Sequence, residues 1–324
     1  MIVNRKKLIS IVTPAYNEEP NIDELARRLQ GVMDKMTDYD FEVIVVENGS
    51  TDGTFQKLLA VCEKDKRFKI LQMLRTFYCD GGIAAGLHFV SGDAAVVMTA
   101  DLQDPPEMIP KFITKWEEGY ENVYGIVIKR RGYSWIRRFI TKIFYWLIHK
   151  MSNGLLPQNV SDFRLIDKKV YQAVNRMDER VRFMRGIFMW VGGKSIGIPH
   201  ERPERFAGQT KTSLTGTLLG QGIRGIYSYS YLPLRFITYL GIVVSVGSFI
   251  FLIYTIITAL TKGTPFAGYG TLVSVITFMF GVLFLILGVI SEYISFIHDE
   301  VKQRPNFILK RKVGFDDEQD KSKN

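Results

Sequence analysis

Cysteine and histidine are scarce in this chain. Its 324 residues include two cysteines, Cys62 and Cys79, and four histidines. Two lone thiols fit a reducing compartment, where single buried cysteines are the default. The histidines are scattered without metal-ligand spacing, so neither residue type is given a role. No GxGxxG and no GxxxxGKS/T follows any predicted strand, which argues against a dinucleotide dehydrogenase or a P-loop NTPase. The opening residues, MIVNRKKLISIVTPAYNEE, offer no apolar signal-peptide core and pass at once into a short strand pattern and a polar loop.

Charge is missing from two long stretches near the C-terminus. Phe236 to Thr261 and Pro265 to Ser291 contain no Asp, Glu, Lys or Arg. Each exceeds the roughly 20 residues needed to cross a bilayer core, whereas a pair of buried core helices would be shorter and would need a second apolar layer. Two transmembrane helices are expected. Arg224 and Arg235 precede the first, Lys302, Arg304, Lys310, Arg311 and Lys312 follow the second, and only Lys262 lies between. This bias puts both termini in the cytoplasm, on a multi-pass protein of the plasma (inner) membrane. Gly241, Ser245 and Ser248 are small enough to allow helix packing and leave a homo-oligomer open. Nucleic acid is not an expected partner.

The first 125 residues alternate in type. Apolar runs LISIVTP, FEVIVVENGS, FKILQML and AAVVMTAD read as buried strands, with helical patterns NIDELARRLQGVMDKM and TDGTFQKLLAVCEKD between them. A βαβ series with a parallel sheet follows. Ligands of such sheets bind beyond the carboxyl ends of the strands, and there the polar clusters TPAYNEEP, ENGSTDGT and TADLQD stand. In the last of these, Asp101, Gln103 and Asp104 end a buried strand on unpaired acids and an amide, which therefore face something positive. A metal ion is the first candidate. On a continuing extended path Asp101 and Gln103 would face the same side and share one cation, while Asp104 suits an N-cap ahead of Pro105 and Pro106.

Five motifs in order resemble family-2 glycosyltransferases: PAYNE (Pro14 to Glu18), VENGSTDGT (Val46 to Thr54), ADLQDPPE (Ala100 to Glu107), SDFRLID (Ser161 to Asp167) and RFAGQTK (Arg205 to Lys211). The resemblance covers roughly the first 230 residues. It is strongest to the polyprenyl-phosphate branch, which includes bactoprenol glucosyltransferases and dolichol-phosphate mannose synthases. Pattern and resemblance together imply a GT-A-like α/β nucleotide-sugar domain over residues 1–210, with an interfacial helix at 134–152 inside it. A juxtamembrane helix at 211–232, a two-helix transmembrane region at 233–298 and a basic, then polar, cytoplasmic tail at 299–324 would follow.

The implied activity is inverting transfer of one hexose, glucose from UDP-glucose, to a polyprenyl phosphate, undecaprenyl or dolichyl, at the cytoplasmic leaflet. Stabilising a departing diphosphate calls for a divalent cation or for Lys and Arg. Asp101 and Gln103 would hold Mg²⁺ or Mn²⁺, and Pro14, Tyr16, Glu18, Glu47 and Asn48 would join them around the donor. Glu47 and Asn48 stand where many relatives carry Asp-Asp, and Thr99 where they carry a further Asp. The acceptor phosphate is assigned to Arg130, Arg138, Lys142, Arg205 and Lys211, and the reaction centre to Asp101, Asp162, Arg138 and Arg205. For Asp162 the competing reading is a buried salt bridge to Arg164. Two further function classes compete: a processive polysaccharide synthase, whose Gln-x-x-Arg-Trp motif lacks its Trp at Gln221 to Gly225, and a degenerate, non-catalytic membrane homologue.

Overall fold

A computed structural model describes residues 5–130, 157, 159–180, 182–208, 232–262 and 268–315. It divides into two compact units, one comprising Met1–Gly225 with Arg304–Asn324 and the other Ile226–Gln303.

The first unit begins with the expected alternation: β1 (Lys7–Ala15), α1 (Glu19–Met33), β2 (Tyr39–Glu47), α2 (Thr54–Lys64), β3 (Phe68–Met73), α3 (Tyr78–Phe89) and β4 (Ala94–Val97). After a 3₁₀ turn (Pro106–Met108) come α4 (Ile109–Glu117), β5 (Asn122–Arg130), β6 (Val160–Asp167), α5 (Lys168–Asn175), α6 (Met184–Trp190) and β7 (Ser195–Arg202). A last strand, β8 (Leu309–Val313), lies beyond the second unit in sequence. Among the described residues the eight strands form one sheet in the order β7-β5-β6-β4-β1-β2-β3-β8. Neighbours β1/β2, β2/β3, β1/β4 and β5/β7 are parallel, whereas β6 runs antiparallel to both β4 and β5, and β8 antiparallel to β3.

The central strands are apolar throughout because both faces are covered. Ile9, Ile11, Val43, Val45 and Ile70 join the core formed with α1, α2 and α4. The alternate residues Val12 and Val46 face α3, which approaches so closely that a Cβ on Gly86 would collide with Val12. One polar cluster is buried between strands: Glu42 accepts from Ser10 Oγ at 2.6 Å and from Lys69 Nζ at 2.8 Å.

The stretch expected as a tail contributes β8. Arg311 donates to Gln72 Oε1 at 2.6 Å and stacks over the Phe55 ring at 4.0 Å, and Phe307 meets His88 and Phe89. Three of the basic residues counted as membrane flanks, Lys310, Arg311 and Lys312, thus belong to the edge strand β8. Leu74 N–H also donates to Ile308 O at 2.9 Å, extending the seam toward the loop after β3.

The second unit contains two long helices, α7 (Leu232–Lys262) and α8 (Tyr269–Val301). Among the described residues one helical stretch, Phe278–Val301, is long and apolar enough to cross a membrane, and Tyr239–Phe251 is a shorter apolar stretch. Large side chains such as Phe249, Ile250, Phe278 and Phe284 lie exposed along them. The interfacial helix expected at 134–152, with Arg138 and Lys142, and nearly all of the juxtamembrane helix expected at 211–232, with Lys211, lie outside the described residues.

Candidate functional site

The polar loops gather at the carboxyl ends of β1, β2 and β4, where parallel strands leave their last residues pointing past the sheet. Two of these loops lock one another. Asn17, in the left-handed region at φ 52°, accepts from Thr51 N–H at 2.8 Å and donates its own N–H to Ser50 Oγ at 3.0 Å. Glu18 N–H donates to Thr54 Oγ1 at 2.9 Å. Pro14 packs against α3 at Gly82, and Tyr16 is half-buried on the same loop.

Glu47 is 1% exposed and accepts the Ser50 N–H at 2.5 Å. Both halves of the Asn48 amide are engaged by backbone after β3: Oδ1 accepts from Phe77 N–H at 2.9 Å and Nδ2 donates to Tyr78 O at 2.7 Å. Asn48 thereby shapes the floor between β2 and α3. Gly49, at φ 72°, is required here, since a Cβ would lie 2.6 Å from the Arg75 carbonyl carbon.

After β4 the chain does not continue extended. Leu102 is buried at φ 60°, and the turn it makes brings Gln103 N–H to 3.2 Å from Asp101 Oδ1. A tight turn thus brings the Gln103 backbone to Asp101, in place of the expected extended path with the two side chains facing the same side. Thr99 acts as the brace of this loop. Its hydroxyl lies 2.7 Å from Asp101 Oδ1 and 2.8 Å from Asp104 Oδ2, and its N–H donates to Asp104 Oδ2 at 3.1 Å. Asp104 does not cap a helix. It is wholly buried, accepts from Thr99, and has Ser161 Oγ at 3.5 Å and Arg202 Nε at 3.8 Å from its Oδ1. A carboxylate so buried needs partners of this kind, which an exposed cap does not.

β6 brings a second acid to the same end of the sheet. Asp162 and Arg164 share a face of the strand, two residues apart, but they do not pair. Asp162 forms a forked ion pair with Arg185 of α6, one bond being 2.9 Å from Nε to Oδ1 and the other joining Nη2 to Oδ2. Arg164 is fully buried, lies over the Phe188 ring at 4.5 Å and donates to Ser161 O at 2.9 Å. Burial pushes the Asp162 carboxyl up, but Arg185, and then the charges of Arg164 and Arg202, outweigh it and hold the group below the ordinary value. Arg185 carried no signal in the sequence, because the short helix MRGIFMW was matched to no motif. Only the packing of α6 on β6 reveals it.

Arg205 is a further surprise of position. Its Nη2 lies 3.0 Å from Asp101 Oδ2 and its Nη1 3.2 Å from Glu18 Oε1, so it bridges the β4 and β1 loops. Glu18 Oε2 in turn accepts from Asn21 Nδ2 at 2.5 Å. Arg130 ends β5 with its backbone in register with Arg202. The site thus gathers four carboxylates, Glu18, Asp101, Asp104 and Asp162, and three arginines, Arg185, Arg202 and Arg205, from β6, β7, α6 and the loops after β1, β4 and β7. Among the described residues no group of three or more His, Cys, Asp or Glu side chains is arranged to hold a metal by itself.

The model for Glycosyl transferase family 2 matches residues 10–174, from β1 through α5. The prophage bactoprenol glucosyl transferase homolog of Escherichia coli K12 is 35% identical over 303 residues, covering 94% of this chain and 98% of that protein. The bactoprenol glucosyl transferase of Shigella phage SfII is 36% identical over 94% and 97% of the two chains. An uncharacterized glycosyltransferase of Synechocystis is 38% identical over 93% and 94%. Among solved structures, glucosyl-3-phosphoglycerate synthase of M. tuberculosis superposes with a TM-score of 0.49 at 19% identity, over 69% of this chain and 81% of that one. With the family match spanning β1 to β6 and half of the chain, and the relatives spanning nearly all of it, the protein belongs to glycosyl transferase family 2 and is a glycosyltransferase.

Proposed function

We propose that this glycosyltransferase moves one hexose, glucose from UDP-glucose, to a polyprenyl phosphate at the cytoplasmic leaflet, with inversion. The observation that carries the reading is the charged constellation at the strand ends, in which Asp101 and Glu18 share Arg205, and Arg185 and Arg202 lie beside Asp162 and Asp104. Two relatives of nearly equal length bear the name bactoprenol glucosyl transferase, which supports the lipid acceptor.

The residues present fit a divalent cation. The Arg205 guanidinium already lies between Asp101 and Glu18, so this position accepts positive charge. One carboxylate and the Gln103 amide, completed by substrate phosphates, suit Mg²⁺ or Mn²⁺, which are commonly held by one or two carboxylates plus a diphosphate. When bound, the ion would neutralise charge building on the departing diphosphate. Asp162, held ionised by its arginines, is a weak proton acceptor. It therefore serves to orient Arg185 and a sugar or acceptor oxygen, and a phosphate acceptor asks for no more. The second ionisation of a phosphate monoester lies near pH 6, so the nucleophile is largely a dianion at neutral pH.

Membrane attachment is supported by connectivity. Residues on either side of α7 and α8 belong to one sheet, β7 before them and β8 after, so any crossing must be made an even number of times. Helices of 31 and 33 residues reach about 45 Å or more at ~1.5 Å per residue, ample for a pair of spans. Their exposed apolar side chains have no favourable place in water.

The deciding experiment incubates purified full-length protein and undecaprenyl phosphate with a panel of labelled nucleotide sugars. Lipid-linked glucose from UDP-glucose is expected. Absence of transfer from every donor would overturn the reading, and transfer only of another sugar would overturn its assignment to glucose.

A further inference from the structure

The donor side of the site already holds a cation of the protein's own. Of the two Asp101 oxygens, Oδ1 is committed to Thr99 Oγ1 at 2.7 Å and Gln103 N–H at 3.2 Å, and Oδ2 is taken by Arg205 at 3.0 Å. We propose that Arg205 and a divalent metal ion compete for Asp101, so that the segment following β7 is a latch over the nucleotide-sugar site which metal and nucleotide release together. The inference rests on the reading of Asp101 as a metal ligand.

The latch is fastened at two points. Arg205 bridges Asp101 and Glu18, and two residues later Ala207 O accepts from Asn21 Nδ2 at 3.2 Å, the same amide that donates to Glu18. The first fastening is to the β1 and β4 loops, the two that would surround a diphosphate, and the second is to the first turn of α1, directly after the β1 loop. The segment also has points at which to turn. Pro203 follows directly on β7, and Gly208 stands at φ 83°, where a residue with a Cβ would be strained.

The exchange is favourable only when the guanidinium is offered new partners. Arg205 is largely buried, its side chain 18% exposed, and freeing it from two carboxylates without replacement would be unfavourable. A metal ion alone would displace it and give nothing in return. A metal ion with a nucleoside diphosphate would take the carboxylate and present phosphate oxygens, which match the planar fork of arginine. Metal and nucleotide should therefore bind with positive coupling, and the coupling should run through Arg205.

Calorimetric titration of the full chain in detergent with MnCl₂, with and without saturating UDP, tests this on the parent, Arg205→Gln, Arg205→Lys and Asp101→Asn. In the parent, UDP should tighten Mn²⁺ binding about tenfold or more. Arg205→Gln should bind Mn²⁺ alone about tenfold more tightly than the parent and lose most of the gain from UDP. Arg205→Lys keeps the charge but cannot span both carboxylates, and should fall between. It also supplies the comparison should the glutamine variant melt below the assay temperature. Mn²⁺ binding alone that is no tighter in the Arg205 variants than in the parent, while Asp101→Asn abolishes it, would overturn the latch and leave the metal assignment standing. Undiminished Mn²⁺ binding by Asp101→Asn would overturn both.

Discussion

Asp101 is the side chain to which the proposed reading gives the donor chemistry, and the Thr99 hydroxyl, 2.7 Å from its Oδ1, helps to fix its position. Asp101→Ala removes a ligand and its charge, so transfer should fall by at least a hundredfold in steady-state assays with Mg²⁺ or Mn²⁺. Thr99→Val keeps the shape but loses the hydroxyl brace to Asp101 and Asp104. It should lower the melting temperature through loss of about 1–3 kcal/mol, with a milder fall in transfer. Retention of full activity by Asp101→Ala would sink the assignment. Asp162 gives a pH signature. Since its folded pKa is depressed by Arg185, Arg164 and Arg202, it stays ionised as pH falls through the usual carboxylate range. The acid limb of kcat/KM for the lipid should then lie near pH 6, where the acceptor phosphate gains a proton. An acid limb at ordinary carboxylate values would instead mark Asp162 as a titrating base.

Between the strands, Glu42 ties β2 to its surroundings through Ser10 on β1, Lys69 on β3 and Ser91 after α3. Burial pushes its carboxyl up, but the hydrogen bonds from Lys69, Ser10 and the Ser91 N–H outweigh this and hold it below the ordinary carboxylate value. A depressed folded pKa means the stabilisation is present above the unfolded value and is lost as pH falls through the folded one. Glu42→Gln leaves the partly buried Lys69 without its counter-charge and should destabilise the fold by about 1–3 kcal/mol at pH 7. The difference from the parent should shrink on acidification. Thermal melts of both proteins at pH 7 and pH 4 would check this, and a difference that grew at low pH would contradict the linkage.

For the whole molecule the decisive feature is that the chain leaves the sheet after β7 and returns to it as β8. A single cysteine at Gly268, between α7 and α8, should react with an impermeant thiol reagent added outside intact cells, and one at Glu318 should not, with Cys62 and Cys79 replaced. Labelling at Glu318 from outside would place the catalytic unit on the opposite face. Equal protection of both positions would mean that the helical pair does not cross.

The β1–β4 series was legible along the chain because buried parallel strands are short apolar runs, and their mouths were legible because polar residues cluster where strands end. Motifs in fixed order made the family readable, and with it Asp101, Glu18 and Asp162 as residues of interest. The chain order could not reveal which charges meet. Arg205 lies 104 residues from Asp101 and 187 from Glu18 in sequence. Arg185 reaches Asp162 only because α6 packs on β6. The turn at Leu102 needs a left-handed residue that no local preference announces, and it is stabilised by the buried carboxylate of Asp104. β8 reads as a basic tail because Lys310, Arg311 and Lys312 mask its alternation, and it becomes a strand only when β3 offers an unpaired edge. Local pattern sets which elements form, because burial periodicity is written residue by residue, while ion pairs between distant segments depend on the packing that brings them together.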